Sequence, residues 1–94
     1  MSELILYYGR ECPHCKAMMP LVERLEREVG IKFEKKEIWH NEKNKKEIKS
    51  KRKLIEAACG GEILIPCFYS RKTEAVFCRE VPYEKLREWA IKNS

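Results

Sequence analysis

Leu4 to Tyr8 is an unbroken apolar run closed by Gly9, the pattern of a short strand buried on both faces. A change of period follows. Met18, Leu21, Val22, Leu25 and Val29 recur at steps of three and four, which predicts an amphipathic helix, and Gly30 stands where a left-handed cap would end it. From Ile31 to Trp39 apolar and charged residues partly alternate, with Phe33, Ile38 and Trp39 separated by Lys and Glu; a lysine-rich strand of this kind belongs at a sheet edge. Asn41 is placed to cap a second helix reaching about Cys59, polar in its first half and apolar at Ile48, Leu54, Ile55, Ala57 and Ala58. Gly60-Gly61 stops it. Ile63 to Tyr69 and Ala75 to Cys78 read as two short strands joined by a Ser-Arg-Lys-Thr turn, and so as an antiparallel hairpin. Pro82 suits the first turn of a last helix that puts Tyr83, Leu86, Trp89 and Ala90 on one face.

The expected class is therefore α/β, in the order β-α-β-α-β-β-α. The first three elements form a right-handed parallel crossover, the terminal hairpin extends the sheet to four mixed strands, and three helices flank it. No internal repeat or linker rich in Gly, Ser or Pro divides the chain, so residues 1–94 are expected to be one domain acting as a monomer. A chain of 94 residues buries roughly 60 to 65% of its unfolded surface, enough for one modest core.

Composition narrows the setting. With 44% hydrophobic and 37% charged residues the chain is an ordinary globular sequence, neither fibrous nor disordered. Its start lacks the basic segment and long apolar stretch of a secretion signal, and no run approaches the ~20 apolar residues that span a bilayer. The expectation is a cytoplasmic protein with no membrane partner. In that compartment cysteines stay mostly reduced, so five of them, an odd number, do not read as a disulfide framework. The net charge of +5 comes largely from Lys43, Lys45, Lys46, Lys49, Lys51, Arg52 and Lys53. At helical spacing this run reads as a solvated face, with an acidic protein partner as the other option. Nucleic acid is not expected, because no aromatic residues are interleaved for base stacking.

The chemistry lies in Cys12-Pro13-His14-Cys15, where the first loop turns into the first helix. Unpaired N–H groups and the helix dipole at that point stabilise an anion, and in such settings a thiol falls from about 8.5 to roughly 3.5 to 7.5. Cys12 is thus the expected nucleophile. Cys15, one turn inward on the same face, is the expected resolving thiol. Pro13 costs nothing in the first turn, and a protonated His14 adds positive charge beside the thiolate. A proline within a strand run, Pro66, makes sense if the Ile65–Pro66 bond is cis and turns the backbone toward the cysteine pair to dock an extended substrate. Cys67, next in line, is either a third thiol able to form a regulatory disulfide or strand filler; Cys59 and Cys78 lie on apolar faces and read as packed core. His40 reads as an exposed residue before the helix cap.

On these residues the chain resembles the thioredoxin and glutaredoxin superfamily over essentially its whole length. Cys12-Pro-His-Cys15-Lys16 with Pro20 in mid-helix is similar to the thioredoxin pattern, Ile65-Pro66 to the family's cis-proline, the size and element order to glutaredoxins, and the Pro-His pair to bacterial periplasmic oxidases. The resemblance implies a thioredoxin-like fold and a thiol–disulfide oxidoreductase without a cofactor, acting on protein disulfides, with a reductase or glutathione as electron donor. Glu11 stands where thioredoxins have tryptophan, and the buried aspartate of their first strand is missing, which leaves Glu11 or water to handle the Cys15 proton. Ile65 and Arg79-Glu80-Val81 replace glutaredoxin's threonine and glycine pair, leaving Arg10 as a basic contact for glutathione. Two other readings stand beside the enzyme: a thiophilic metal module holding zinc through Cys12 and Cys15 with Cys67 or His14, and a non-catalytic adaptor.

Overall fold

A computed structural model describes residues 3–94. Its elements in chain order are β1 (Leu4–Tyr8), α1 (Pro13–Val29), β2 (Phe33–Glu37), α2 (Glu42–Ser50), α3 (Arg52–Cys59), β3 (Cys67–Ser70), β4 (Val76–Cys78) and α4 (Tyr83–Asn93). The four strands make one mixed sheet in the order β2-β1-β3-β4. β1 runs parallel to β2, with Leu4 opposite Phe33, and antiparallel to β3, with Leu4 opposite Ser70; β3 and β4 form the hairpin. The lysine-rich β2 lies at the sheet edge, as its sequence predicts.

Because side chains alternate along a strand, the buried β1 feeds two separate cores. Leu4 and Leu6 pack with Phe33, Phe68, Met18, Val22 and Leu25 of α1, and Leu86 and Ala90 of α4. Ile5 and Tyr7 face the other way, against Ile38, Tyr69, Ile48 of α2 and Ile55 of α3. The sheet is covered on both faces. Gly30 ends α1 in the left-handed region at φ 79°, and the buried Glu26 ties that end to β2 by accepting from the Phe33 N–H at 2.8 Å and from Lys35 Nζ.

The structure corrects the predicted elements in three places. The single helix expected up to Cys59 is two, so four helices flank the sheet. The Lys51 N–H bonds back to the Ile48 carbonyl in a tight turn, and the Ser50 hydroxyl donates to the Glu47 carbonyl at 2.5 Å, a local bond that competes with helix continuation. Of the apolar residues assigned to that helix, Ile48 and Ile55 are buried, whereas Leu54, Ala57 and Ala58 are exposed. β3 begins at Cys67 rather than Ile63, since Pro66 has no N–H to give to a ladder. β2 stops at Glu37, and Trp39 is 44% exposed instead of in the sheet.

The loop before α1 is held from the β2 side. The Ile38 N–H donates to the Tyr8 carbonyl at 2.8 Å, and the Glu37 carboxylate accepts from the N–H groups of Arg10, Trp39 and His40. Gly9 lies against the Trp39 indole so closely that a Cβ there would meet two ring carbons at 2.5 Å. On the far face, Glu47 of α2 accepts from Tyr7 Oη at 2.7 Å and from Lys36 Nζ at 2.6 Å. Burial works against charge on Glu47, but the bonds from Lys36 and Tyr7 outweigh it and hold the carboxyl below the usual carboxylate range.

Two outcomes are expected. A carboxyl lowered by folding contributes stability that is full above its ordinary value near 4.5 and is lost as pH falls through the lower folded value. Glu47→Gln should therefore cost about 1 to 2 kcal/mol at neutral pH and flatten the acid limb of stability, read by urea denaturation across acid to neutral pH. Gly9→Ala should push the indole aside, shifting Trp39 emission toward that of free solvent at a stability cost of about 1 kcal/mol, while the Phe77-stacked Trp89 keeps its spectrum.

Candidate active site

β1 carries the chain to the top of α1, and the first residue with side-chain chemistry there is Cys12. Its N–H bonds to the Gly9 carbonyl at 3.1 Å, its backbone is extended (φ −72°, ψ 117°), and its carbonyl accepts from the Lys16 N–H at 3.0 Å. Cys12 is thus the N-cap of α1, with Pro13 as the first helical residue. Its side chain does the capping: the Cys15 N–H donates to Cys12 Sγ at 3.4 Å.

Cys12 keeps 4% of its surface in contact with solvent and Cys15 2%. Burial, and then the hydrogen bond with Cys12, push the Cys15 thiol up, and the Gly9 backbone opposes them only in part. His14, between the two, is exposed and pairs through Nδ1 with the Glu80 carboxylate. Across from it the Ile65–Pro66 bond is cis. The Pro66 carbonyl accepts from the Arg79 N–H at 2.8 Å, which joins the segment before β3 to the turn after β4. Between these parts lies a groove of about 430 Å³ lined by His14, Leu64, Ile65, Arg79 and Glu80. A larger concavity, of about 540 Å³, lies instead over the basic Lys49 to Leu54 segment and Tyr69.

Several expected site residues lie elsewhere. The exposed Arg10 is not part of the groove lining, and its placement rests on the bond from its N–H to Glu37. Glu11 is engaged away from Cys15, its carboxylate hydrogen-bonded to His40 Nε2 at 2.6 Å, and His40 is exposed before the helix cap, as expected. Cys67 is fully buried in the α2/α3-side core, and burial pushes its thiol up to about 12, so it stays protonated. Among the described residues no group of three or more His, Cys, Asp or Glu side chains is placed to hold a metal ion, so the zinc reading finds no ligand set.

The largest correction concerns Cys59 and Cys78. Read from the sequence as core packing, they are joined in a disulfide across a Cα–Cα distance of 5.8 Å, linking the last residue of α3 to the last residue of β4. Cys12, Cys15 and Cys67 are free thiols in the same molecule. Glu80, too, was read only as a departure from a glutaredoxin pattern. Its proximity to His14 spans 66 positions, and no local signal could have paired them.

No protein-family model matches the chain, and no relative is found for it by sequence among curated proteins. Solved structures do match. A glutaredoxin (Grx-1) from Archaeoglobus fulgidus superposes with a TM-score of 0.65 at 26% identity, over 98% of this chain and 88% of that one. A thioredoxin from Fasciola hepatica gives 0.66 at 20% identity, over 97% and 79%. Mitochondrial thioredoxin 3 from Saccharomyces cerevisiae, in its oxidized form, gives 0.60 at 16% identity, over 98% and 80%. The two-faced mixed sheet, the cysteine pair opening the first long helix and these likenesses agree: the chain has a thioredoxin/glutaredoxin-like fold.

Proposed function

We infer that the chain is a thiol–disulfide oxidoreductase that acts on protein disulfides through Cys12 and Cys15. The observation that carries this reading is the helix cap itself: Cys12 Sγ accepts the Cys15 N–H at the opening turn of α1, beside a groove open to solvent. A thiolate so placed attacks a substrate disulfide, forming a Cys12–substrate bond and expelling the other substrate sulfur as a thiolate, which takes up a proton. The Cys15 thiol then loses its proton, and its sulfur attacks Cys12. The substrate leaves with two thiols, and the protein keeps a Cys12–Cys15 disulfide. Two electrons have moved from protein to substrate, and a reductase or glutathione would return them; the reverse sequence oxidises a dithiol.

Each neighbour has a part in this reading. Pro13 starts the helix without wasting a donor. A protonated His14 places positive charge two residues from Cys12, with Glu80 as its counter-ion. Ile65 and Pro66 form the wall on which an extended substrate segment would lie, and Arg10, outside the groove lining, is left as a longer-range electrostatic contact. The buried, protonated state of Cys15 keeps it from competing with Cys12 for the incoming disulfide. The reading is of a monomeric, single-domain protein working in the cytoplasm; no helix among the described residues is long and apolar enough to cross a membrane.

Turnover of insulin disulfides in the presence of dithiothreitol tests the reading. Cys12→Ser should lower the rate by about 10³-fold or more, as loss of a covalent nucleophile does, and Cys15→Ser should accumulate a protein–substrate mixed disulfide visible on a non-reducing gel. Full activity of Cys12→Ser would refute the assignment. Alkylation near neutral pH followed by mass spectrometry gives an independent check: Cys12 reacts first, Cys15 more slowly, Cys67 only after denaturation, and Cys59 and Cys78 only after reduction.

A further inference from the structure

The Cys59–Cys78 disulfide stands apart from the cysteine pair of the site, and its position in the chain gives it a use. Cys59 is the residue before Gly60-Gly61, both with positive φ (82° and 104°), which open the segment running to the cis bond. Cys78 is the residue before Arg79, itself at φ 70°, and Glu80. The two segments that start at these cysteines are the two walls of the groove: Leu64 and Ile65 on one side, Arg79 and Glu80 on the other. The cystine joins the walls covalently at their roots, and nearer the site the Arg79 N–H to Pro66 carbonyl bond joins them non-covalently.

Two further observations fit a bond that can be opened and closed in place. Cys59 and Cys78 are both half-buried, so a reductant has a way in, whereas Cys67, which faces Cys78 across the β3–β4 ladder, is fully buried. The Cys67 thiol stays protonated, and a protonated thiol is a poor attacker of disulfides, so the neighbouring sulfur does not reshuffle the bond.

We propose that Cys59–Cys78 is a second redox site, a reducible clamp that holds the walls of the groove in register for a polypeptide substrate and releases them when an external dithiol opens it. The inference rests on the oxidoreductase reading for its consequence, but not for its geometry. A thiolate of the dithiol attacks one sulfur of the cystine, and its second thiol resolves the mixed disulfide. Cys59 and Cys78 end as two thiols, having gained two electrons and two protons, and the dithiol leaves as a disulfide. With the clamp open, Glu80 and Arg79 are no longer tied to the Leu64–Ile65 wall by a covalent bond, and capture of an extended chain weakens. A small disulfide, which needs only the cysteine pair, reacts as before.

Two measurements decide it. In wild type, hydrogen exchange is compared before and after reduction by a trialkylphosphine. The clamp predicts that the amides of Leu64, Ile65, Arg79 and Glu80 exchange about tenfold faster, the scale of a modest coupling between sites, while those of β1 and α1 keep their protection and rule out global unfolding. Single-turnover oxidation of the Cys12/Cys15 dithiol is then followed in wild type with the clamp closed and in Cys59→Ala/Cys78→Ala. The double variant should oxidise about tenfold more slowly with a peptide disulfide and at the wild-type rate with hydroxyethyl disulfide. Unchanged groove exchange and an unchanged ratio of the two rates would overturn the proposal and leave the bond a plain staple. If wild type oxidises its dithiol with neither disulfide, the oxidoreductase reading fails, and exchange alone then decides whether the clamp exists.

Discussion

A helix starts with N–H groups that no residue of the helix can satisfy, and in this protein a sulfur atom answers one of them. Cys12 takes the position that Ser, Asp or Asn usually fills, so the first turn of α1 is completed only while Sγ lies against the Cys15 N–H. That one contact sets the distance between the two cysteines and fixes which is outermost. Cys15 is carried into the body of the helix, where burial keeps its proton on. Both sulfurs are buried, and the asymmetry between the capping acceptor sulfur and the protonated one a turn further along follows from capping geometry.

The rest of the fold keeps that turn in place. β1 is buried through Tyr7, paired on both edges, and clasped between two cores of opposite sense, so its end is a rigid point from which the loop leaves. From the β2 side Glu37 collects three backbone N–H groups, Trp39 covers Gly9, and His40 holds Glu11. These contacts align the loop. The α2/α3 face is held by a different device, a Tyr7–Glu47–Lys36 set of hydrogen bonds under the helices.

The opposite rim is built from pieces far apart in sequence. The segment before β3 and the turn after β4 meet through Pro66 and Arg79, and again at Cys59 and Cys78. Glu80 then reaches His14 on α1, so one turn touches both the groove wall and the helix that bears the cysteines. A residue that sets charge near the site is therefore positioned by the turn after β4, which also places Arg79 in the groove wall.

The amino-acid sequence by itself determined the features that depend on local periodicity and backbone chemistry. The apolar run of Leu4–Tyr8, the three-and-four spacing from Met18 to Val29, the cap at Gly30 and the lysines of β2 each state their own burial, and together they make the α/β order readable. Cys12-Pro-His-Cys15 was legible for the same reason, since a helix start is a local event. The turn at Lys51 was not, because a serine back-bond and one tight turn leave the hydrophobic pattern unbroken. Nor was the Cys59–Cys78 bond. An apolar-face cysteine looks the same whether it packs or pairs, and only the sheet order, which sets β4 beside the end of α3, brings the two within reach. The pairings His14–Glu80 and Glu11–His40 likewise span 66 and 29 positions. Such long-range pairs carry no periodic signal, so they exist only once tertiary packing has put the elements side by side.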